Sequence, residues 1–162
     1  MTSNILNIAI DLPKLLIRQA IQPLRLALRK STTLPDTQQE LAELVNHSLK
    51  HQIRAGFTHR FIDILFVTVG NRVFCRRYTY GEPSWHSAFL IDPAGQVKLD
   101  KTIVTIKAQQ PEDMDTIVPA VNQAYADKLK KLGARFMLAG AVEPRAQEST
   151  MELILDNQGE KR

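Results

Sequence analysis

The sequence predicts an α+β fold, on three observations. Residues 61–69 form a nearly continuous apolar run, rich in β-branched and aromatic side chains, which suits a buried strand better than a helix. Gly70-Asn71 then separates that run from a second strand-like one. Glycine in the first place of a two-residue turn marks a type II′ hairpin, because that position needs a positive φ. Two other stretches, 36–54 and 111–132, carry apolar residues at helical spacing instead.

Length and composition bound the rest. A chain of 162 residues makes one ordinary domain, with room for an appendage. Hydrophobic content of 44% with 23% charged residues belongs to a globular protein with a real core. A single cysteine excludes an internal disulfide and favours the reducing cytoplasm. The net charge of +4 is unevenly placed. Residues 1–60 carry eight Lys/Arg against four Asp/Glu, and residues 61–162 carry thirteen of each. The body of the chain therefore has no nucleic-acid footprint, and no nucleic-acid partner is expected.

In chain order, residues 4–30 read as an amphipathic helix. Asp11 can cap it, Pro13 fits its first turn, and Pro23 should kink it. Lys14, Arg18, Arg25 and Arg29 share one face. Charges interrupt the apolar run, so it is neither a signal peptide nor a membrane span. It serves either as a helix packed on its own domain or across a dimer, which is the commoner role, or as a peripheral membrane or partner contact. Residues 31–35 are a linker. A second helix is expected from Asp36 or Thr37 to about Arg54, with Leu41, Leu44, Val45, Leu49 and Ile53 as its apolar stripe. His47 and His51 lie four apart on it, but no carboxylate or cysteine completes a metal site, and none is expected. A helix-turn-helix is disfavoured by the long connection between the two helices.

The return strand after Gly70-Asn71 puts Val73, Cys75 and Arg77 on one face and Arg72, Phe74, Arg76 and Tyr78 on the other. Consecutive arginines thus point apart, and Cys75 is a small buried thiol rather than a nucleophile. Residues 79–83 form a loop. Residues 85–91 read as a strand by alternation or as a helix capped by Ser84. A hairpin follows, 97–99 with 102–108, turning at Asp100-Lys101. The helical region after Pro111 carries Met114, Val118, Val121, Tyr125, Leu129 and Leu132, with Pro119 as a point of division and Gly133 as its stop. Residues 136–138 are a short strand or loop, and residues 150–155 a last strand.

Residues 61–156, about three-fifths of the chain, resemble a known pattern. It consists of Asn71-Arg72-Val73-Phe74-Cys75-Arg76, then Gly81 and Ser84-Trp85-His86, then Asp92-Pro93, a hairpin, Ala124-Tyr125-Ala126-Asp127-Lys128 and Ser149-Thr150-Met151-Glu152-Leu153. This is similar to a bacterial family of unknown function, related more distantly to the deazaflavin-dependent nitroreductases and the flavin-binding split barrels. The resemblance implies a small antiparallel split β-barrel of six strands with flanking helices, often dimeric, with FMN or a deazaflavin in a groove at its side. It favours helix over strand after Ser84. On this reading the chain divides into a basic helical region, 1–56, holding two N-terminal helices, and a split-barrel domain, 57–162. The Gly-Arg-Lys-Ser-Gly turn of the deazaflavin enzymes is absent here.

A flavin needs cations for its phosphate and an aromatic or apolar wall for its ring. The residues implied are Arg76, Arg77 and Lys101 as cations, Tyr80 and Trp85 as aromatics, and Ser84 and His86 as polar contacts. Each also has a plainer role. Trp85 can be core, one arginine can pair with an acid, and a histidine beside a tryptophan is more often inert. There is no GxSxG, CxxC, P-loop or GxGxxG. The expectation is a cofactor-binding domain acting as an oxidoreductase if it is an enzyme, in a homodimer. The alternative is a non-enzymatic ligand-binding or interaction domain that lacks a cofactor and offers the basic N-terminal helices as contact surface.

Overall fold

A computed structural model describes residues 33–158; the first expected helix, 4–30, lies outside them. The described residues are α+β, as expected. Seven antiparallel strands run in the order β2-β1-β5-β6-β7-β4-β3, curled into a half-barrel with helices on its two faces. The strands are β1 (His51–Ala55), β2 (Ile62–Asp63), β3 (Val67–Val69), β4 (Arg72–Cys75), β5 (Ala94–Leu99), β6 (Thr102–Gln109) and β7 (Met151–Leu155). The helices are α1 (Gln38–His47), α2 (Trp85–Ile91), α3 (Met114–Lys131), α4 (Leu138–Val142) and α5 (Pro144–Glu148).

The helix expected to reach Arg54 ends at His47. Thr37 and Glu40 close a capping box at its start. Ser48 caps its end, its hydroxyl donating to the Leu44 carbonyl at 2.7 Å. Leu41, Leu44 and Val45 are buried, but Leu49 is 93% exposed, so the helical stripe stops there. His51, Ile53 and Ala55 are buried in alternation, the signature of a strand. Both α1 and β1 precede Phe57, and both contribute to one core with Val73, Cys75, Val97, Val104, Ile106 and Leu153.

The apolar run 61–69 is two strands rather than one. β2 pairs with β1, and β3 pairs with β4, at opposite ends of the sheet. The sheet therefore has seven strands instead of the six implied, because residues 64–66 leave one edge and cross to the other. A curled sheet brings its edges near enough for so short a crossing. Ile64 and Phe66 stay buried on the way.

His51 holds that crossing. The amide of Ile64 donates to its carbonyl at 3.1 Å, and the amide of Phe66 donates to its ring Nδ1 at 3.1 Å. Nδ1 is thus the acceptor, so the ring proton sits on Nε2 and is donated to the Val45 carbonyl at 3.0 Å. The ring also stacks on Phe66, with centroids 5.2 Å apart.

Several local rules hold. Gly70 has φ of 58° in the β3–β4 hairpin. Ser84 and Ser87 form a capping box that starts α2, which is a helix, as the resemblance implied. The β5–β6 hairpin turns at Asp100-Lys101. Its β5 strand starts earlier than expected, and α2 lies so close that a Cβ on Gly95 would come within 2.5 Å of the Phe89 ring. Pro119 does not divide α3; the helix runs through it, short of one hydrogen bond. The buried stripe of α3 is Ile117, Val121, Tyr125 and Leu129, packed on Val67 and Phe74 across the sheet from the main core. The short strand or loop expected at 136–138 is a 3-10 turn (Arg135–Met137) running into α4.

Burial lowers the His51 pKa from its ordinary 6.5, helped by nearby Lys128. The folded chain therefore binds this proton more weakly than the unfolded chain. The stabilisation is complete above about pH 6.5 and is lost as pH falls below it. Melting temperature should fall between about pH 7 and about pH 5, and a His51→Gln variant should start lower and fall less. Equal slopes in the two proteins would show that His51 does not carry the dependence.

Candidate functional site

Arg76 and Arg77 follow directly on the end of β4 and leave it to opposite sides, continuing its alternation. Arg76 turns under α3 and is fully buried. Its Nε donates to Thr150 Oγ1 at 2.9 Å, and its Nη1 to Asn122 Oδ1 at 2.6 Å and the Ala141 carbonyl at 2.9 Å. Its guanidinium lies 5.3 Å from the Tyr125 ring centroid. None of these partners is a carboxylate. Burial accordingly pulls the Arg76 pKa down, and burial pushes that of Tyr125 well up. A guanidinium buried without a counter-ion is costly, and neutral acceptors on α3, on α4 and just before β7 offset that cost.

Arg77 faces the loop that follows. Its Nη1 pairs with Glu82 at 3.0 Å, and Nε and Nη2 donate to the carbonyls of Thr79 and Gly81, both at 3.1 Å. Glu82 also accepts from Ser84 Oγ at 3.2 Å and Ser87 Oγ at 2.6 Å. The loop and the start of α2 are thereby one hydrogen-bonded unit. Hydrogen bonding from Ser87 in particular holds the Glu82 carboxyl below its ordinary range. Two guanidiniums approach the Tyr80 ring, Arg145 at 4.0 Å and Arg77 at 5.3 Å from its centroid, and its hydroxyl donates to Glu143 at 2.9 Å.

Trp85 opens α2. It is half-buried and packs on the main core, with ring edges toward His86 and Phe89. His86 is buried beside it. Desolvation, then the Arg77 charge, lowers its pKa, and a hydrogen bond to the Ser149 backbone opposes the shift. Among the described residues, two buried side-chain polar atoms have no hydrogen-bond partner: Arg76 Nη2 and His86 Nε2. Both side chains reach the Ser149-Thr150 step that leads into β7.

Arg77, Tyr80, Ser84, Trp85 and His86 therefore gather around one loop. Arg76 lies on the other side of its strand. Lys101 sits at the β5–β6 turn, the far end of β6 from Gln109, roughly 25 Å along the strand from the level at which β4 ends. Glu82, Ser87, Glu143 and Arg145 complete the cluster without having been singled out. Glu82 and Ser87 are local to the loop and the start of α2, whereas Glu143 and Arg145 come from a distant segment, Glu143 lying 63 residues from Tyr80. Among the described residues no group of three or more His, Cys, Asp or Glu could hold a metal ion. Cys75 is fully buried, and burial pushes its thiol pKa far up, as an inert thiol requires.

A bacterial protein family, described as an uncharacterized protein conserved in bacteria (DUF2255), matches residues 39–153. The chain belongs to this family. The DUF2255 match runs from α1 into β7, so it takes in both arginines, the Tyr80 loop, α2 and the Ser149-Thr150 step. No curated protein matches the chain.

Replacing Arg76 tests its part in the fold. Arg76→Ala leaves the Asn122, Ala141 and Thr150 oxygens short of a donor and opens a cavity, and should cost about 3 kcal/mol in denaturant unfolding. Arg76→Lys should also destabilise, since one ammonium does not span three acceptors. Lys101→Ala should stay within about 0.5 kcal/mol. An Arg76→Ala loss as small as that of Lys101→Ala would contradict this reading.

Proposed function

We propose that this DUF2255 protein is a small-ligand-binding module whose ligand contacts the Arg77–His86 side of the loop. The observation that carries the reading is the buried His86 Nε2, which has no hydrogen-bond partner among the described residues. A buried polar atom left unpaired is costly, and a ligand group would satisfy it. The surroundings suit a planar, anionic molecule. Arg145 is exposed, lies on the Tyr80 ring and, among the described residues, is in no ion pair, and half-buried Trp85 offers aromatic surface beside His86.

FMN or a deazaflavin is the ligand that the sequence resemblance puts first. Arg77 and Arg145 would hold its phosphate, with Lys101 too distant to take part, and Trp85 and His86 would meet its ring. Bound there, it would supply redox chemistry and make the protein an oxidoreductase. A homodimer belongs to the same proposal.

A second reading is a non-enzymatic contact domain without a cofactor. The closed set of bonds among Arg77, Glu82, Ser84 and Ser87 favours it, because those groups already satisfy one another.

Absorbance of the purified protein in the flavin region, with quenching of the sole tryptophan by added FMN and by a deazaflavin, decides between them. The ligand reading expects a bound chromophore or saturable quenching, weakened about tenfold by His86→Ala and by Arg145→Ala. No chromophore and no quenching by either compound would remove the flavin and leave the contact-domain reading.

A further inference from the structure

The C-terminal end of α3 ends in an apolar tip ringed by cations. The helix stops at Gly133, which has φ of 70°. The amide of Ala134 donates to the Leu129 carbonyl at 2.8 Å, and that of Gly133 to the Lys130 carbonyl at 3.1 Å, so the turn is fixed by a Schellman pair of bonds. Ala134 and Leu138 then face inward against the α3 core. The 3-10 turn between them is left facing out. Phe136 is 84% exposed, Leu132 54% and Met137 38%. Residues 128–142 contain four Lys/Arg and no acid. Among the described residues, Lys130, Lys131 and Arg135 are in no ion pair.

The helix dipole accounts for lysines in a last turn. It does not account for a phenylalanine held in water at the apex. Burying that ring and the two neighbouring apolar side chains is favourable only against another apolar phase, and the surrounding cations require that phase to carry negative charge. A second copy of this chain would bring like charges together. We infer that the tip formed by Leu132, Phe136 and Met137, with Lys130, Lys131 and Arg135 around it, docks on an anionic lipid surface. The apolar side chains enter the acyl boundary and the cations stay among the headgroups. A deformable bilayer takes a projecting tip without a matching pocket, which an acidic protein would have to supply.

The test is co-sedimentation of the full chain with vesicles of phosphatidylcholine alone and of phosphatidylcholine with phosphatidylglycerol. Binding is expected only to the anionic vesicles and should weaken as salt rises. Lys130→Glu with Lys131→Glu should reduce it at least about twentyfold, and Phe136→Asp about tenfold. Both changes are at exposed positions. Phe136→Asp should leave the melting temperature nearly unchanged, and the lysine reversals, which oppose the helix dipole, should lower it by a few degrees at most while the chain stays folded. A Phe136→Trp variant should add an emission component that shifts to the blue on anionic vesicles, over the constant signal of Trp85. Three outcomes would overturn the inference. One is no binding to anionic vesicles, as an acidic protein partner would give. Another is binding that survives both sets of changes, as contact through residues 4–30 would give. The third is equal binding to neutral vesicles.

Discussion

His51, the first residue of β1, ties the end of α1 to the crossing between β2 and β3. Its ring accepts from Phe66 and donates to Val45, and its backbone accepts from Ile64. The curl of the sheet depends on that junction, because β2 and β3 form its two edges and only three residues separate them. With the crossing held, β3 is placed to pair with β4, and the end of β4 delivers Arg76 and Arg77 at a fixed point. Neutral imidazole suits this role. One nitrogen must accept and the other donate, and the charged form would offer no acceptor to Phe66.

From that point alternation does the sorting. Arg76 goes under α3 and becomes structural cement, its charge spread over a hydroxyl, an amide, a carbonyl and a ring face. Arg77 goes to the loop and organises Glu82 and the start of α2. The two arginines are neighbours in sequence yet answer different demands, one of packing and one of loop geometry. Trp85 is also shared, its indole belonging in part to the core and in part to the surface beside His86. The candidate site is thus built on rigid neighbours on both flanks, which is how a fold holds a ligand-facing group in place.

What the sequence made legible were features governed by local rules. The Gly70-Asn71 turn, the opposed arginines, the inert Cys75 and the stop at Gly133 follow from φ requirements and strand alternation. The end of α1 was hidden because Leu49 and Ile53 continue the spacing of Leu41 and Val45 while Leu49 points into solvent. The break in 61–69 was hidden because an unbroken apolar run contains no marker for a change of partner strand. The helices of 135–148 carry too little amphipathic contrast to announce themselves. The neighbours of Arg76 were out of reach for a different reason: Asn122, Ala141 and Thr150 lie 46, 65 and 74 residues away, and only the packed fold brings them to it. The remoteness of Lys101 is likewise a fact of register.

The family match spans the same elements that this junction organises, from α1 to β7. The most direct test of the account is ring-nitrogen NMR of His51 in the intact protein. The account predicts a neutral imidazole at neutral pH with the proton on Nε2 and Nδ1 as a hydrogen-bonded acceptor, persisting below the ordinary histidine pKa. A proton on Nδ1, or a charged ring at neutral pH, would contradict it.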